Sequence, residues 1–132
     1  MRLCTAAERG SVMSKLEEIR EEFKKDRFAT DAVGIVIDCA EPGKAVCSLA
    51  LKPHHMNANN VPMGGAIFTL ADFTCAVAAN GYAEKMTVSQ NASITFLAPA
   101  RGERLVAEAS CLRSGRTTAL LTVDIRDELD TY

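Results

Sequence analysis

The sequence predicts an α+β domain in which an antiparallel sheet curls around one central helix. Three observations lead there. Between positions 61 and 83 the only charged side chain is Asp72, so the helix formed there is apolar on every face and belongs in an interior. Two short β-rich runs precede it and three follow, with turn residues between neighbours. No repeat, low-complexity tract or linker interrupts this order, and 132 residues at 48% hydrophobic content suffice for one domain with one core.

Each element has its own signal. Residues 14–28 (SKLEEIREEFKKDRF) put Leu16, Ile19 and Phe23 at helical spacing, with Ser14 as candidate N-cap and acidic residues early, which predicts an amphipathic surface helix with a solvated charged face. Residues 33–39 and 45–51 flank Glu41-Pro42-Gly43-Lys44, a turn composition that makes them an antiparallel hairpin. Residues 53–62 form a polar loop with three Asn and two His. The apolar helix then starts at Gly64 and stops at Asn80-Gly81. Strands are expected at 87–97, 104–112 and 117–125, joined by turns at 99–102 and 114–116.

Composition narrows the function. A formal net charge of -2 gives no electrostatic basis for nucleic-acid binding. Segment 64–83 has the length of a membrane span, but Asp72, Thr69, Thr74, Asn80 and Gly81 make it too polar to be one. Five widely spaced cysteines without a CxxC pair argue against a disulfide framework and a zinc knuckle; Cys47, Cys75 and Cys111 sit in apolar runs and read as core. The first residues lack the long apolar region of a signal peptide, so a cytoplasmic protein without metal is expected.

The chemistry concentrates in Asn57-Ala-Asn-Asn-Val-Pro-Met-Gly-Gly-Ala-Ile-Phe-Thr-Leu-Ala-Asp72. An isolated carboxylate on a buried helix costs several kcal/mol unless paired, hydrogen-bonded or protonated, which marks Asp72 as the candidate catalytic group. The Gly64 and Gly65 amides, at the positive end of the helix and unhindered by side chains, can bind the oxygen of a polarised carbonyl. Asp72 lies eight residues on, about 12 Å along the axis, and cannot readily serve a carbonyl held at its own Gly64. If both act on one substrate atom, the Asp comes from an antiparallel helix of a second subunit. Asn57 is either a turn former or a ligand for a thioester oxygen or water. His54 and His55 have no Ser or Cys in a nucleophile context nearby and read as positional or exposed.

With Asn57, Gly64-Gly65, Leu70-Ala71-Asp72, Val88-Ser89 and Phe96-Leu97-Ala98-Pro99 at this spacing, residues 30–126 resemble the hotdog-fold acyl-CoA thioesterases. The branch is that of the phenylacetic-acid-degradation thioesterases and the mammalian thioesterase superfamily member 2. The resemblance implies a hotdog fold, an acyl-CoA substrate, no cofactor, and a homodimer or dimer of dimers. Asp72 would be general base or nucleophile, the Gly65 and Gly64 amides would polarise the carbonyl, Asn57 would position substrate or water, and Ser89 would orient water beside Asp72. Met63, Phe68 and Phe73 would line the substrate, and Arg113 and Arg116, with Arg101 and Arg104, are the candidate partners for coenzyme A phosphates.

The chain departs from that family in two places. Met63 stands where the branch commonly has His, and its thioether cannot donate the same hydrogen bond, which leaves a non-catalytic acyl-CoA or lipid-binding protein as the alternative. A further strand would follow the region 127–131 in the family, so either that strand lies beyond Tyr132 or the sheet closes differently. A hydratase on this fold would use His55 but needs an acidic residue where Thr69 stands.

Overall fold

The computed structural model describes residues 6–130, with side chains from Lys15 onward. Helix α1 spans Ala6–Phe23, followed by a π-helical turn at Phe28–Val33. Strands β1 (Val36–Glu41) and β2 (Lys44–Ala50) come next, then a 3-10 turn at Pro53–His55 and helix α2 (Gly64–Asn80). Strands β3 (Arg104–Ser114) and β4 (Ala119–Asp127) complete the described chain. The four strands form one antiparallel sheet in the order β1-β2-β3-β4, and α2 packs across it.

The expected helix 14–28 is displaced: α1 starts at Ala6, so Ser14 lies within the helix and is not its N-cap, and it ends at Phe23, beyond which the Asp26 side chain accepts the Ala29 N–H at 3.3 Å beside the start of the π-helical turn. Gly34 closes that turn at φ +93, a left-handed conformation suited to glycine, so β1 begins at Val36 and not at 33. The hairpin is as expected: Glu41 pairs with Lys44 around Pro42-Gly43, with Gly43 at φ +73. Helix α2 has the expected bounds.

The core lies between the sheet and one stripe of α2. Cys47 pairs with Ala107, and Ala107 with Ile125, so a row of side chains runs across the sheet beneath the helix. Small residues (Ala45, Ala107, Ala109) let α2 approach closely, and it buries Leu70, Phe73, Thr74, Val77 and Ala78 there. Each fully buried Leu or Val contributes about 1.5–3 kcal/mol of transfer free energy. The Thr74 hydroxyl donates to the Leu70 carbonyl at 2.6 Å, so it is buried without being unsatisfied.

Three expectations are corrected. The segment 87–97 is not a strand: among the described residues no strand lies between α2 and Arg104, and the segment is extended and exposed save for Ile94. β-rich sequence becomes strand only when a neighbour supplies a hydrogen-bond ladder, and this segment runs alongside α2 instead. Asp72 is not buried: one sheet cannot cover a helix that is apolar all round, as expected, and α2 leaves Gly65, Phe68 and Asp72 exposed on its far side. Cys39 is disulfide-bonded, whereas Cys47, Cys75 and Cys111 are free thiols, Cys47 buried and the other two partly so. Cys4 and any strand beyond position 130 lie outside the described residues.

Candidate active site

Residues 65, 68 and 72 recur at three- and four-residue spacing, so Gly65, Phe68 and Asp72 form one exposed stripe of α2, opposite the stripe that packs on the sheet. Met63 caps the helix start in an extended conformation, and its carbonyl takes the amides of Ala66 (3.0 Å) and Ile67 (3.2 Å). Helical hydrogen bonding therefore begins at Ala66, and the Gly64 and Gly65 N–H groups precede it. A Cβ on Gly65 would meet nothing nearer than the Met63 Cγ at 4.0 Å, so that amide is open to approach. A Cβ on Gly64 would come within 3.2 Å of the Phe96 ring, which packs over the helix start.

Phe96 belongs to the extended segment after α2, which runs back along the helix from its last turn to its first. Near the last turn the segment is held at Thr87 by the Asn80 side chain. Midway, the Ser89 Oγ donates to Asp72 Oδ1 at 3.0 Å. At the far end Phe96 rests on Gly64. Two site residues 17 positions apart are thus brought together, and a hydroxyl lies against the candidate base.

The other predicted residues fall into distinct places. The Asn57 side-chain oxygen accepts the Asn59 N–H (2.9 Å) and the Val61 N–H (3.3 Å), which shapes the loop before α2; its Nδ2 takes no part in those bonds. Phe68 is on the exposed stripe, whereas Phe73 is in the core, edge-on to Phe23 with centroids 5.7 Å apart. Met63 is exposed beside the glycine amides. Arg113 ends β3 opposite Leu120, Arg116 sits in the β3–β4 turn, and both are exposed. Arg104 is engaged with Ser48 Oγ at 2.6 Å and Asp38 at 3.4 Å. The Arg101 amide donates to Asp127 at 2.8 Å.

His55 is positional and not exposed. It is 4% exposed, its Nδ1 accepts the Lys52 N–H at 3.0 Å, and its Nε2 lies 2.7 Å from the Val33 carbonyl. With both ring nitrogens engaged by backbone inside the fold, neither is turned to a substrate, which speaks against the hydratase reading. No free cysteine beside the site is a ready nucleophile either. Burial, and then the Asp72 charge, raise the Cys75 thiol, and burial pushes Cys47 up to about 12.

Sequence reasoning missed two features. Asn80 reads in the sequence as a helix stop, with no sign that its amide reaches forward to Thr87. Asp127 and Glu128 lie past the strand expected at 117–125, where the sequence suggests no role for them, yet their carboxylates gather the amides of residues 101–104. Neither carries a local signal, since both are contacts between loop backbone and a side chain elsewhere.

Comparisons with known proteins agree with this fold. The sequence model described as the thioesterase superfamily matches residues 59–131. A putative esterase of Archaeoglobus fulgidus is 30% identical over 125 residues, covering 94% of this chain and 79% of that protein. Acyl-coenzyme A thioesterase 13 of Homo sapiens is 31% identical over 123 residues, covering 89% of this chain and 86% of that protein. Among solved structures, the E. coli PaaI protein from the phenylacetic acid degradation operon superposes with a TM-score of 0.80 at 24% identity, covering 89% of this chain and 86% of that one. That likeness carries the fold, and the fold is the hotdog fold.

Proposed function

The chain belongs to the thioesterase superfamily, and from that premise we propose that it is a thioesterase acting on acyl-CoA, with Asp72 as general base or nucleophile. The observation that carries the reading is the Ser89–Asp72 hydrogen bond at 3.0 Å on the exposed stripe of α2 that also holds Gly65. A carboxylate with a hydroxyl against one oxygen keeps its other oxygen for a water or a carbonyl carbon, and the hydroxyl is placed to hold that water.

The thioester carbonyl oxygen would lie on the Gly65 and Gly64 amides, where negative charge developing in the transition state meets N–H groups at a helix start. Asn57 Nδ2 would donate to substrate or water. Met63 and Phe68 flank the acyl group, and Phe73 supports that wall from within the core. Arg113 and Arg116 would meet coenzyme A phosphates.

Asp72 and the Gly64 amide are about 12 Å apart along one helix, so a complete site pairs the Asp72 of one copy with the glycine amides of another. The exposed stripe of α2 is the face available to that second copy. No helix among the described residues is long and apolar enough to cross a membrane.

The test is thiol release from aryl, short-chain and long-chain acyl-CoAs by the native chain, Asp72→Asn and Ser89→Ala, with folding checked by circular dichroism. Asp72→Asn should lower kcat about 10²- to 10⁴-fold, the range for a positioned acid–base group, and Ser89→Ala should lower it less. Met63, in place of a donor beside the amides, favours one second reading, an acyl-CoA-binding protein without turnover. Saturable binding by the native chain without thiol release would establish that reading instead.

A further inference from the structure

We propose that Asn80 is a positioning residue for hydrolysis: its side chain sets the register of the 87–97 segment so that Ser89 meets Asp72. The inference rests on the thioesterase reading above. Asn80 Oδ1 accepts the Thr87 N–H at 2.7 Å and the Thr87 hydroxyl at 3.0 Å, while Nδ2 donates to the Thr87 carbonyl at 3.1 Å. One amide thus holds the donor, the acceptor and the hydroxyl of a single residue, as a paired strand would.

Two consequences follow from extended geometry. Side chains alternate along an extended chain, so Thr87 turned toward α2 also turns Ser89 toward α2, and Val88 between them points outward at 86% exposure. A slip of one residue would present Val88 or Gln90 to Asp72 and remove the hydroxyl. Among the described residues, the hydrogen bonds from 84–100 to the rest of the chain are those of Asn80 with Thr87 and of Asp72 with Ser89. Asn80 thus anchors the segment two residues before Ser89 and fixes which side chain meets Asp72.

Asn80 itself is firmly placed. It ends α2 directly after the buried Val77 and Ala78, and the next amide, Gly81 N–H, donates to the Val77 carbonyl at 2.9 Å. The clamp therefore ties an exposed segment to a helix anchored in the core. Asn80 touches no reacting atom and acts through Ser89.

The decisive experiment is a double-mutant cycle between Asn80 and Ser89, read in kcat and KM for acyl-CoA hydrolysis, with thermal denaturation of every variant. Asn80→Ala should lower kcat about 10-fold, no more than Ser89→Ala does, with KM within about twofold; small misplacements of catalytic groups have effects of this size or larger. Added to Ser89→Ala, it should cost little more, because the group it positions is already gone. Asn80→Asp keeps both acceptor contacts and should recover part of the loss, and Thr87→Val, which removes only the hydroxyl, should show a smaller loss of the same kind. A merely structural role would give equal losses with and without Ser89, and would lower melting temperature in step. Equal losses, or an unchanged kcat in Asn80→Ala, overturn the proposal while leaving the thioesterase reading intact. If Ser89→Ala and Asp72→Asn both hydrolyse at the native rate, the reading itself fails and the proposal falls with it.

Discussion

At the residue scale, the histidine pair before α2 illustrates how identity and environment part company. His54 and His55 are adjacent, with ring centroids 4.1 Å apart and the planes tilted by 47°, yet only His55 is buried. Its ring joins the Val33 carbonyl to the Lys52 amide, and its own carbonyl accepts the Met63 N–H at 2.8 Å, so it joins three stretches of chain around the loop that carries Asn57. Removing the ring would strand a buried donor and a buried acceptor and leave a cavity. His55→Ala should therefore lose about 2–4 kcal/mol of folding stability in urea denaturation, whereas His54→Ala should lose under about 0.5 kcal/mol. Equal midpoints for the two variants would contradict the buried bridge.

At the scale of elements, the junction between the 87–97 segment and β3 is held by the end of β4. Asp127 is buried and accepts the Arg101 N–H at 2.8 Å and the Gly102 N–H at 2.9 Å. Glu128 accepts the Glu103 N–H at 2.7 Å and the Arg104 N–H at 3.0 Å. The backbone at Gly102 lies directly against the Glu128 carboxylate, which a Cβ there would push aside. The Glu103 amide foremost, then the Glu128 and Arg104 amides, holds the Glu128 carboxyl below its ordinary 4.5. A carboxyl lowered on folding stabilises the fold above its unfolded pKa, and that contribution is lost as pH falls through the folded value. The gap in urea midpoint between the native chain and Glu128→Gln should thus be constant well above the ordinary 4.5 and close as pH falls through the lowered folded value. A gap independent of pH would show that the amides do not favour the charged form.

At the scale of the whole molecule, the separation of Asp72 from the glycine amides has a stoichiometric consequence. Gly65→Pro removes one of the two amides, and proline is tolerated in the first turn of a helix, where the N–H has no helical partner. Asp72→Asn and Gly65→Pro should each be nearly inactive alone. Mixed and allowed to exchange at equal concentration, half the dimers would be hybrids, each with one site of native Asp72 and native Gly65, so activity should recover to about a quarter of the native value. No recovery, with exchange confirmed by a mass-tagged subunit, would mean that each chain carries its own complete site.

The sequence by itself determined the two helices, the hairpin and the last two strands, the bounds of α2, the turn at Pro42-Gly43 and the membership of Asp72, Gly64 and Gly65 in one helix, because each depends on local periodicity, on backbone freedom or on the chain's own spacing. It also carried the resemblance that pairs Ser89 with Asp72. Tertiary structure alone decided that α2 covers the sheet with one stripe and turns Asp72 outward, that His55 is an internal bridge, that Phe73 belongs to the core, and that Asn80 grips Thr87. It also decided that the β-rich segment 87–97 lies extended along α2 without strand pairing. The reason is common to all of these. Which side of an element faces a neighbour, and whether an extended segment finds a hydrogen-bond ladder, depends on groups far away in sequence, and local propensity carries no record of them.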